Sequence, residues 1–258
     1  MSKLVNYSCD NRIGIITLNR PEKRNALNEQ VVIELKAAFN EAASDDSCKV
    51  IVLKANGDAF CAGADLGYLQ QLQKNSFEEN LEDSRNLKDL FEQIQYLNKV
   101  VIAQVEGHAI AGGCGLATVC DFTFSVPEAK FGYTEVKIGF VPAIVSVFLV
   151  RKIGEAKAKD LLLTGRLIDA LEAEQMSLIY KVVSKNEIEI AVNAFAEKLC
   201  LQTSAASLAL TKKLIADIAP LSYKDAFELA AETNAKARET EDCKKGIAAF
   251  LNKVKLTW

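Results

Sequence analysis

The sequence predicts an α/β core of mostly parallel strands, followed by a C-terminal region built of helices. Short β-branched runs alternate with stretches of helical periodicity over roughly the first 185 residues. Beyond that point one amphipathic stretch follows another without a convincing strand. Alternating strands and helices are typical of a parallel sheet, because each parallel connection needs a crossover that a helix supplies.

Three runs of apolar residues define the predicted strands. They are IGIITL around residues 14–18, KVIVLK at 49–54 and VVIAQV at 100–105. Each run is short and rich in valine and isoleucine, as expected of a strand buried in a sheet.

Two helices are predicted between these strands. The apolar positions of the first recur at helical spacing and are Val31, Val32, Leu35, Ala38 and Phe39. Asn28 precedes this helix, and its side chain is suited to accept a hydrogen bond from the first turn as an N-cap. The second helix is EDSRNLKDLFEQIQYL (82–97), and the acidic stretch SFEENLED (76–83) has the composition of a mobile, solvated segment.

The chain reads as helix after helix from EIEIAVNAFAEKLC (187–200) onward. We predict a core domain over residues 1–195 and a helical region over residues 196–258. Alanine-rich helical spacing gives this region an apolar face larger than one chain needs. We therefore expect the helical region to mediate oligomerisation.

Composition excludes several classes of function. Half of the 258 residues are hydrophobic, a quarter are charged and the net charge is −3, so no basic surface predicts nucleic-acid binding. Seven cysteines without a CxxC pair and a single histidine indicate neither a disulfide framework nor a metal site. The sequence shows no signal-peptide core and no membrane-spanning run. We expect a cytoplasmic protein that binds no metal and no membrane.

The glycines locate a candidate site, because nine of the thirteen lie between Gly57 and Gly139. Two small-residue turns, NGDAFCAGADL (56–66) and VEGHAIAGGCGLATVCD (105–121), each follow a predicted strand and lead into a helix. The first backbone N–H groups of a helix lack partners, and small residues let a ligand approach them closely. The two turns predict a site for an anion or a polarised carbonyl oxygen. Neither has the spacing of a nucleotide-phosphate motif.

Five blocks of sequence resemble one family in order and spacing. They are NRPEKRNALN (19–28), FCAGADL (60–66), GHAIAGGCGLATVCDF (107–122), FGYTEVKIGFVP (131–142) and ETEDCKKGIAAFLNK (239–253). Over nearly its whole length the chain is similar to the crotonase, or enoyl-CoA hydratase/isomerase, superfamily. The segment TEVKIGFVPAIVS is most similar to bacterial methylglutaconyl-CoA hydratase-like members. The resemblance implies a crotonase-like ββα spiral core, a C-terminal helical oligomerisation region, and assembly into homotrimers or homohexamers.

The resemblance also implies the catalytic residues. The backbone N–H groups of Ala64 and Gly112 match the two donors of an oxyanion hole, and Glu135 matches the glutamate that moves a proton. An independent argument concerns Glu135. If FGYTEVK is extended, Phe131, Tyr133 and Glu135 share one face, and a carboxylate among aromatic rings has a raised pKa. A proton shuttle that works near neutral pH needs such a shift.

The sequence departs from two-glutamate hydratases at one position. Those enzymes carry a second carboxylate where this chain has Gly115, and water addition normally divides its proton transfers between the two. Gly115 therefore favours an isomerase, whereas the methylglutaconyl-CoA hydratase-like resemblance favours a hydratase. A substrate carboxylate, a bound water or another side chain could replace the missing group.

Three polar residues near the site have structural interpretations that compete with functional ones. Asp65 is suited to cap a helix. Ser146 could orient a water but is expected to be a helix-interior serine. His108 is expected to be a hydrogen-bonded structural histidine rather than a base.

The resemblance places coenzyme A as part of the substrate and implies no separate cofactor. Lys23 and Arg24 are suited to its phosphates, and Ala26 and Leu27 are expected to run beside its pantetheine arm. Phe250 and Lys253 match positions that contact coenzyme A across a subunit boundary. The predicted substrate-binding residues are Lys23, Arg24, Ala26, Leu27, Asp65, Leu66, Phe250 and Lys253.

The leading hypothesis is a lyase that adds water to a 2-enoyl-CoA, with 3-methylglutaconyl-CoA as a candidate substrate. Such chemistry belongs to fatty acid metabolism or to the degradation of branched amino acids. The alternatives are a Δ3,Δ2-enoyl-CoA isomerase that uses Glu135 as its single base, and a non-catalytic acyl-CoA-binding relative.

Overall fold

In the computed structural model, which describes residues 3–258, six strands form the larger of two sheets. They are β1 (Val5–Asp10), β2 (Ile13–Leu18), β3 (Val50–Ala55), β5 (Val100–Val105), β7 (Phe122–Ser125) and β10 (Lys181–Val182). Their order is β1–β2–β3–β5–β7–β10, and every pair is parallel except the antiparallel β1–β2 hairpin. The three predicted strands are confirmed as β2, β3 and β5.

Four shorter strands form the second sheet. They are β4 (Ala59–Cys61), β6 (His108–Ile110), β8 (Lys130–Gly132) and β9 (Ile168–Asp169), in that order. The first three are parallel to one another and β9 is antiparallel. No sequence pattern predicts these strands, because two or three residues are too few to show a period.

Helices connect and cover the sheets. They are α1 (Glu29–Ser44), α2 (Leu66–Leu72), α3 (Phe77–Tyr96), α4 (Gly112–Val119), α5 (Ala143–Ile153), α6 (Glu155–Thr164), α7 (Ala170–Gln175), α8 (Ile188–Gln202), α9 (Ala205–Ile218), α10 (Tyr223–Glu239) and α11 (Glu241–Leu251). Two 3₁₀ helices cover Pro21–Lys23 and Glu135–Ile138.

The order of elements forms a spiral. A strand of the larger sheet, a strand of the smaller sheet and a helix recur as β3–β4–α2 and β5–β6–α4. The next pair, β7–β8, leads into the 3₁₀ helix Glu135–Ile138. The predicted ββα spiral core is therefore confirmed, and each turn of it brings the end of a short strand to the same side of the molecule.

Helix starts follow local chemistry. The side chain of Asn28 accepts a hydrogen bond from Val31 N–H, as predicted, and the apolar face of α1 is buried. The predicted start of α3 is wrong. Ser76 and Glu79 form a capping box, so the helix begins at Phe77 and includes most of the stretch that was expected to be mobile.

The C-terminal helices differ in how much they bury. α8 packs on strands of the larger sheet, and the predicted boundary between residues 195 and 196 lies inside this helix. By contrast, α10 and α11 bury no residue. Large apolar side chains are exposed along α9 to α11 and just beyond, namely Ile215, Leu221, Tyr223, Phe227, Ile247, Phe250, Leu251 and Val254. Within residues 3–258 no helix combines the length and apolarity needed to cross a bilayer.

Candidate active site

One buried asparagine fixes the loop that follows β2. The Asn25 side chain is 1% exposed; its oxygen accepts from Arg20 N–H at 2.9 Å, and its amide nitrogen donates to the carbonyls of Asn56 and Ala59 at 2.8 Å each. Its φ of 53° lies in the left-handed region, which asparagine tolerates better than most residues. Asn25 thereby ties this loop to the connection between β3 and β4.

Leu27 joins the same loop to the first glycine turn, which is the small-residue turn at residues 56–66. Its N–H donates to Gly63 O at 2.7 Å, and its carbonyl accepts from Asp65 N–H at 2.8 Å. Ala64 lies between these two bonds and forms a parallel bridge with Leu27. The main chain around Ala64 is therefore held on both sides, while its own N–H donates to no atom of the residues that the structure describes.

Asp65 has a structural role. Its carboxylate accepts from Gly67 N–H at 2.8 Å and Tyr68 N–H at 3.2 Å, which caps α2 as predicted. Arg20 Nη1 also forms a salt bridge with Asp65 Oδ2 at 2.7 Å. Burial raises the pKa of Asp65, but the Tyr68 amide and the Arg20 guanidinium outweigh this effect and hold the pKa below its usual value.

A cleft of about 440 Å³ lies between the loop after β2 and the first glycine turn. It is lined by Glu22, Lys23, Arg24, Ala26, Ala62, Ala64, Asp65, Leu66 and Gly67. Six residues that the sequence predicts for the site therefore meet in one cleft. Leu27 is buried beside it.

The second glycine turn packs directly on the first. A Cβ at Gly63 would lie 2.9 Å from Ala111 Cβ, and one at Gly113 would lie 2.3 Å from Cys61 O. Such distances exclude a side chain at either glycine unless the backbone moves. The small residues of both turns therefore serve close approach of two chain segments, which brings Ala64 and Gly112 to the same region.

Ala111 enters α4 in a strained conformation. Its φ is 51° and its ψ is −126°, a combination that an alanine rarely adopts. Its N–H donates to Gly132 O at 2.7 Å, and this bond holds the strained residue in place. Gly112 follows as the first residue of α4, so its N–H is one of the amides that a helix start leaves without an internal partner.

The two predicted oxyanion donors lack an acceptor over the described part of the chain. Within residues 3–258, neither Ala64 N–H nor Gly112 N–H donates a hydrogen bond to a backbone or side-chain atom. Both amides are therefore available to an atom of a ligand.

Glu135 is buried, but not for the predicted reason. It is the first residue of a 3₁₀ helix, so the extended strand that would place it on one face with Phe131 and Tyr133 is wrong. β8 ends at Gly132. The side chain is 9% exposed, and its Oε2 is buried without a hydrogen-bond partner among the described residues. Burial raises the pKa of Glu135, partly offset by the residue's own amide.

The place of a second carboxylate is filled by apolar side chains. A Cβ at Gly115 would lie 2.4 Å from Val145 Cγ1 and 3.3 Å from Phe91 Cζ. Ser146 donates to Ala143 O at 2.6 Å, which confirms a serine bonded within its own helix. His108 Nδ1 accepts from Lys130 N–H at 3.1 Å, which confirms a hydrogen-bonded histidine.

Two predicted substrate contacts lie elsewhere. Phe250 and Lys253 belong to α11 and the turn after it, are exposed, and do not line the cleft of their own chain. Conversely, sequence reasoning missed Arg20 and Asn25, which do not line the cleft but hold the loop and the turn that form it. The one local signal was an asparagine at the end of a charged loop, a residue type that favours turns with left-handed backbone.

Known proteins of one family are similar to this chain over nearly its whole length. The family model described as enoyl-CoA hydratase/isomerase matches residues 8–258. A Thermus thermophilus protein provisionally named an enoyl-CoA hydratase is 42% identical over 241 residues, which cover 93% of this chain and 95% of the relative. The 2,3-dehydroadipyl-CoA hydratase of Escherichia coli is 32% identical over 260 residues, which cover 98% of this chain and 97% of the relative.

A solved structure of an enoyl-CoA hydratase has the same fold. The crystal structure of an enoyl-CoA hydratase from Mycobacterium smegmatis superposes with a TM-score of 0.92 at 30% identity, covering 100% of this chain and 99% of the other. The match extends through the spiral core and the C-terminal helices alike. The chain belongs to the enoyl-CoA hydratase/isomerase family, also called the crotonase superfamily, and is an enzyme of that family.

Proposed function

We propose that this enzyme adds water to the double bond of a 2-enoyl-CoA thioester. One observation carries the proposal: two uncommitted backbone amides, at Ala64 and Gly112, accompany a buried carboxylate, Glu135, whose Oε2 has no partner among the described residues. A polar atom left unpaired in a protein interior is costly, and Glu135 Oε2 is such an atom. Ala64 is exposed and Gly112 is half-buried, so both amides are open to a ligand. A substrate that pairs with all three groups accounts for their presence together.

The chemistry follows from where charge develops. When water attacks the β-carbon, electrons move to the thioester carbonyl oxygen, which becomes an enolate oxygen. The amides of Ala64 and Gly112 stabilise it, and one such donor contributes about 2.7–4 kcal/mol in comparable sites. Glu135 takes one proton from the water, the hydroxyl stays on the β-carbon, and Glu135 returns a proton to the α-carbon. The carboxylate is regenerated and one water has been added.

The cleft next to Ala64 fits the coenzyme A part of the substrate. Lys23 and Arg24 are exposed on its rim, where they would pair with phosphate oxygens. We expect the pantetheine arm to run beside Ala26 and Leu27 toward Ala64, since Ala26 lines the cleft and Leu27 is buried next to it. Leu66 is 77% exposed beside it and offers apolar surface, while Asp65 acts mainly by holding the turn.

We also propose a homotrimer or homohexamer. The exposed apolar side chains of α9 to α11 support it, because a monomer rarely leaves so many in one region. Phe250 and Lys253 would then reach coenzyme A bound to a neighbouring subunit.

For the acyl group we propose a chain that carries a free carboxylate at the end away from the thioester, with 3-methylglutaconyl-CoA as the first candidate. The segment TEVKIGFVPAIVS supports this choice through its resemblance to methylglutaconyl-CoA hydratase-like members. The relative named for 2,3-dehydroadipyl-CoA also takes an acyl chain that ends in a carboxylate. A substrate carboxylate could help to hold the water that a single glutamate activates.

A Δ3,Δ2-enoyl-CoA isomerase is the second candidate. The observation in its favour is Gly115, whose side-chain space Val145 fills, so that position cannot hold a second carboxylate. Moving a double bond needs one base that removes a proton and returns it nearby.

Product mass separates the candidates. The purified enzyme is incubated with crotonyl-CoA, 3-methylglutaconyl-CoA, 2,3-dehydroadipyl-CoA and a 3-enoyl-CoA, and the thioesters are analysed by mass and chromatography. The gain of one water supports a hydratase; a new isomer of unchanged mass supports an isomerase. Glu135→Gln is the control and is expected to lose turnover by about 10²–10⁴-fold while still binding coenzyme A esters. Binding without turnover of any ester by the wild type would contradict both.

A further inference from the structure

The proposed chemistry joins two separate pieces of chain, and this inference rests on that proposal. Gly112 N–H belongs to the start of α4, whereas Glu135 follows β8 on the next turn of the spiral. Both must address one acyl group at the same time. Because a displacement of about 1 Å can cost on the order of 10²-fold in rate, whatever fixes α4 relative to the Glu135 segment bears on turnover.

One tie between the two pieces lies at the start of α4. Ala111 N–H donates to Gly132 O at 2.7 Å, three residues before Glu135. This bond extends the pairing of β6 with β8, which ends at Ile110 and Gly132, so it holds the segment only at the start of α4.

A second tie lies near the other end of α4. Thr118 Oγ1 and Tyr133 OH are 2.9 Å apart, and both residues are fully buried. Thr118 Oγ1 also lies 2.8 Å from Cys114 O, a carbonyl that can only accept its hydrogen; with that bond made, the Tyr133 phenol is the donor. Burial raises the pKa of Tyr133, which keeps that phenol protonated.

The two ties act at a distance from each other. Positions 111 and 118 are separated by roughly 10 Å along a helix that rises 1.5 Å per residue, whereas their partners Gly132 and Tyr133 are adjacent in sequence. Together the two ties keep the Glu135 segment from tilting relative to α4, which one attachment point cannot do. The segment is therefore held near both ends of α4.

The far end of α4 is itself held. Lys152 Nζ donates to Thr118 O at 2.6 Å and to Cys120 O at 3.1 Å, and a cation is favourable at the end of a helix where carbonyls lack partners. Lys152 comes from α5. The point to which Tyr133 is bonded therefore cannot slide along the helix axis.

Stability alone does not explain a polar pair in this core. A phenylalanine and a valine would fill nearly the same volume without hydroxyl groups to satisfy, and a buried hydrogen bond contributes only about 1 kcal/mol net. What the polar pair adds is a hydrogen bond, which requires a defined distance and angle between its two groups. We propose that Thr118 and Tyr133 are positioning residues, a brace that sets the spacing between the Gly112 amide and the Glu135 carboxylate.

The first test is Tyr133→Phe, which removes the phenol but leaves Thr118 bonded to Cys114 O. We expect kcat to fall about tenfold, with KM changed by less than twofold because the coenzyme A cleft is untouched. The matched control is Tyr7→Phe, which deletes a 2.8 Å phenol bond to Asp45 from β1, the edge strand of the larger sheet. This control is expected to keep wild-type kcat. A Tyr133→Phe enzyme with wild-type kcat would overturn the proposal.

A double-mutant cycle separates positioning from folding. Thr118→Ser keeps the hydroxyl and is expected to retain kcat, whereas Thr118→Val is expected to lose about as much as Tyr133→Phe. The double variant should lose no more than either single, because the two groups act through one bond. Losses that simply multiply, or a Thr118→Ser enzyme as slow as Thr118→Val, would show that no shared bond sets kcat.

The failure of this inference differs from the failure of the proposed function. If Glu135→Gln abolishes turnover while Tyr133→Phe does not change kcat, the brace is wrong and the proposed function stands. If Glu135→Gln remains fully active, the proposed function is wrong regardless of Tyr133.

Discussion

Val145 Cγ1 lies 2.4 Å from the point that a Cβ on Gly115 would occupy. The two residues belong to neighbouring helices, α5 and α4, and the valine fills the space that a longer side chain at position 115 would need. The absence of a carboxylate at this position is therefore built into the packing of two helices, and a single substitution does not reverse it.

Gly115→Glu is expected to destabilise the protein by about 1–3 kcal/mol or more through overpacking, and not to raise hydration of crotonyl-CoA. Gly115→Ala tests the steric part alone, since it adds only the clashing Cβ. Val145→Ala combined with Gly115→Glu is expected to recover part of the stability and to raise the ratio of hydration to isomerisation. Thermal unfolding and product analysis measure both effects. A stable, faster Gly115→Glu enzyme would refute the packing argument.

Gly112→Pro is expected to lower kcat by about 10²–10³-fold, the effect of losing one oxyanion donor. Proline has no N–H, and the first position of a helix tolerates it. Gly112→Ala is the matched control, because an added Cβ meets only Leu27 Cδ1 at 3.4 Å. It should keep most of the activity. Circular dichroism verifies that both variants fold, and equal kcat for the two would rule out a role for this amide.

The raised pKa of Glu135 predicts how activity depends on pH. The base must be ionised, so kcat/KM should fall as pH drops through that raised pKa, at higher pH than for an exposed glutamate. The same shift affects stability. The folded state favours protonated Glu135, so ionisation destabilises the fold as pH rises above the usual carboxyl range. Glu135→Gln should therefore raise Tm at pH 7, with a smaller gain at pH 4. An equal gain at both pH values would contradict the assigned burial effect.

Replacing both Lys23 and Arg24 by alanine is expected to raise KM for a coenzyme A thioester on the order of tenfold, equivalent to 1.4 kcal/mol of binding. Their charges are exposed on the cleft rim, so the loss should shrink at high salt. The matched substrate control is the pantetheine thioester of the same acid, which lacks the nucleotide phosphates. Its KM should be unchanged, and a parallel rise would show that the two residues shape the cleft instead.

Elements with a strong period could be predicted from sequence. β2, β3, β5 and the apolar face of α1 each carry a pattern that tertiary context does not override. β8 could not be predicted, because three residues show no period, and the 3₁₀ helix that follows it places Glu135 off the expected strand. The start of α3 was missed because Ser76 and Glu79, three residues apart in an acidic stretch, form a capping box that outweighs the surrounding polar composition.

The candidate site likewise has parts that the sequence predicts and parts that it does not. The two glycine turns are visible as small residues after strands, so the region of Ala64 and Gly112 could be located. Asn25 and Tyr133 could not be assigned, because their partners, Ala59 O and Thr118 Oγ1, are distant in the chain. Hydrogen bonds of that kind leave no local pattern in a sequence.

The helices next to the Gly112 and Ala64 amides differ in how much of their surface is buried. α4, which begins at Gly112, buries seven of its eight residues, while α2, two residues beyond Ala64, buries none. The Gly112 side of the site is therefore packed into the core, whereas the helix on the Ala64 side has few packing restraints. We therefore expect variation in acyl preference among relatives to arise in Leu66–Leu72 rather than in α4, because a helix that buries no residue can shift at little cost in packing.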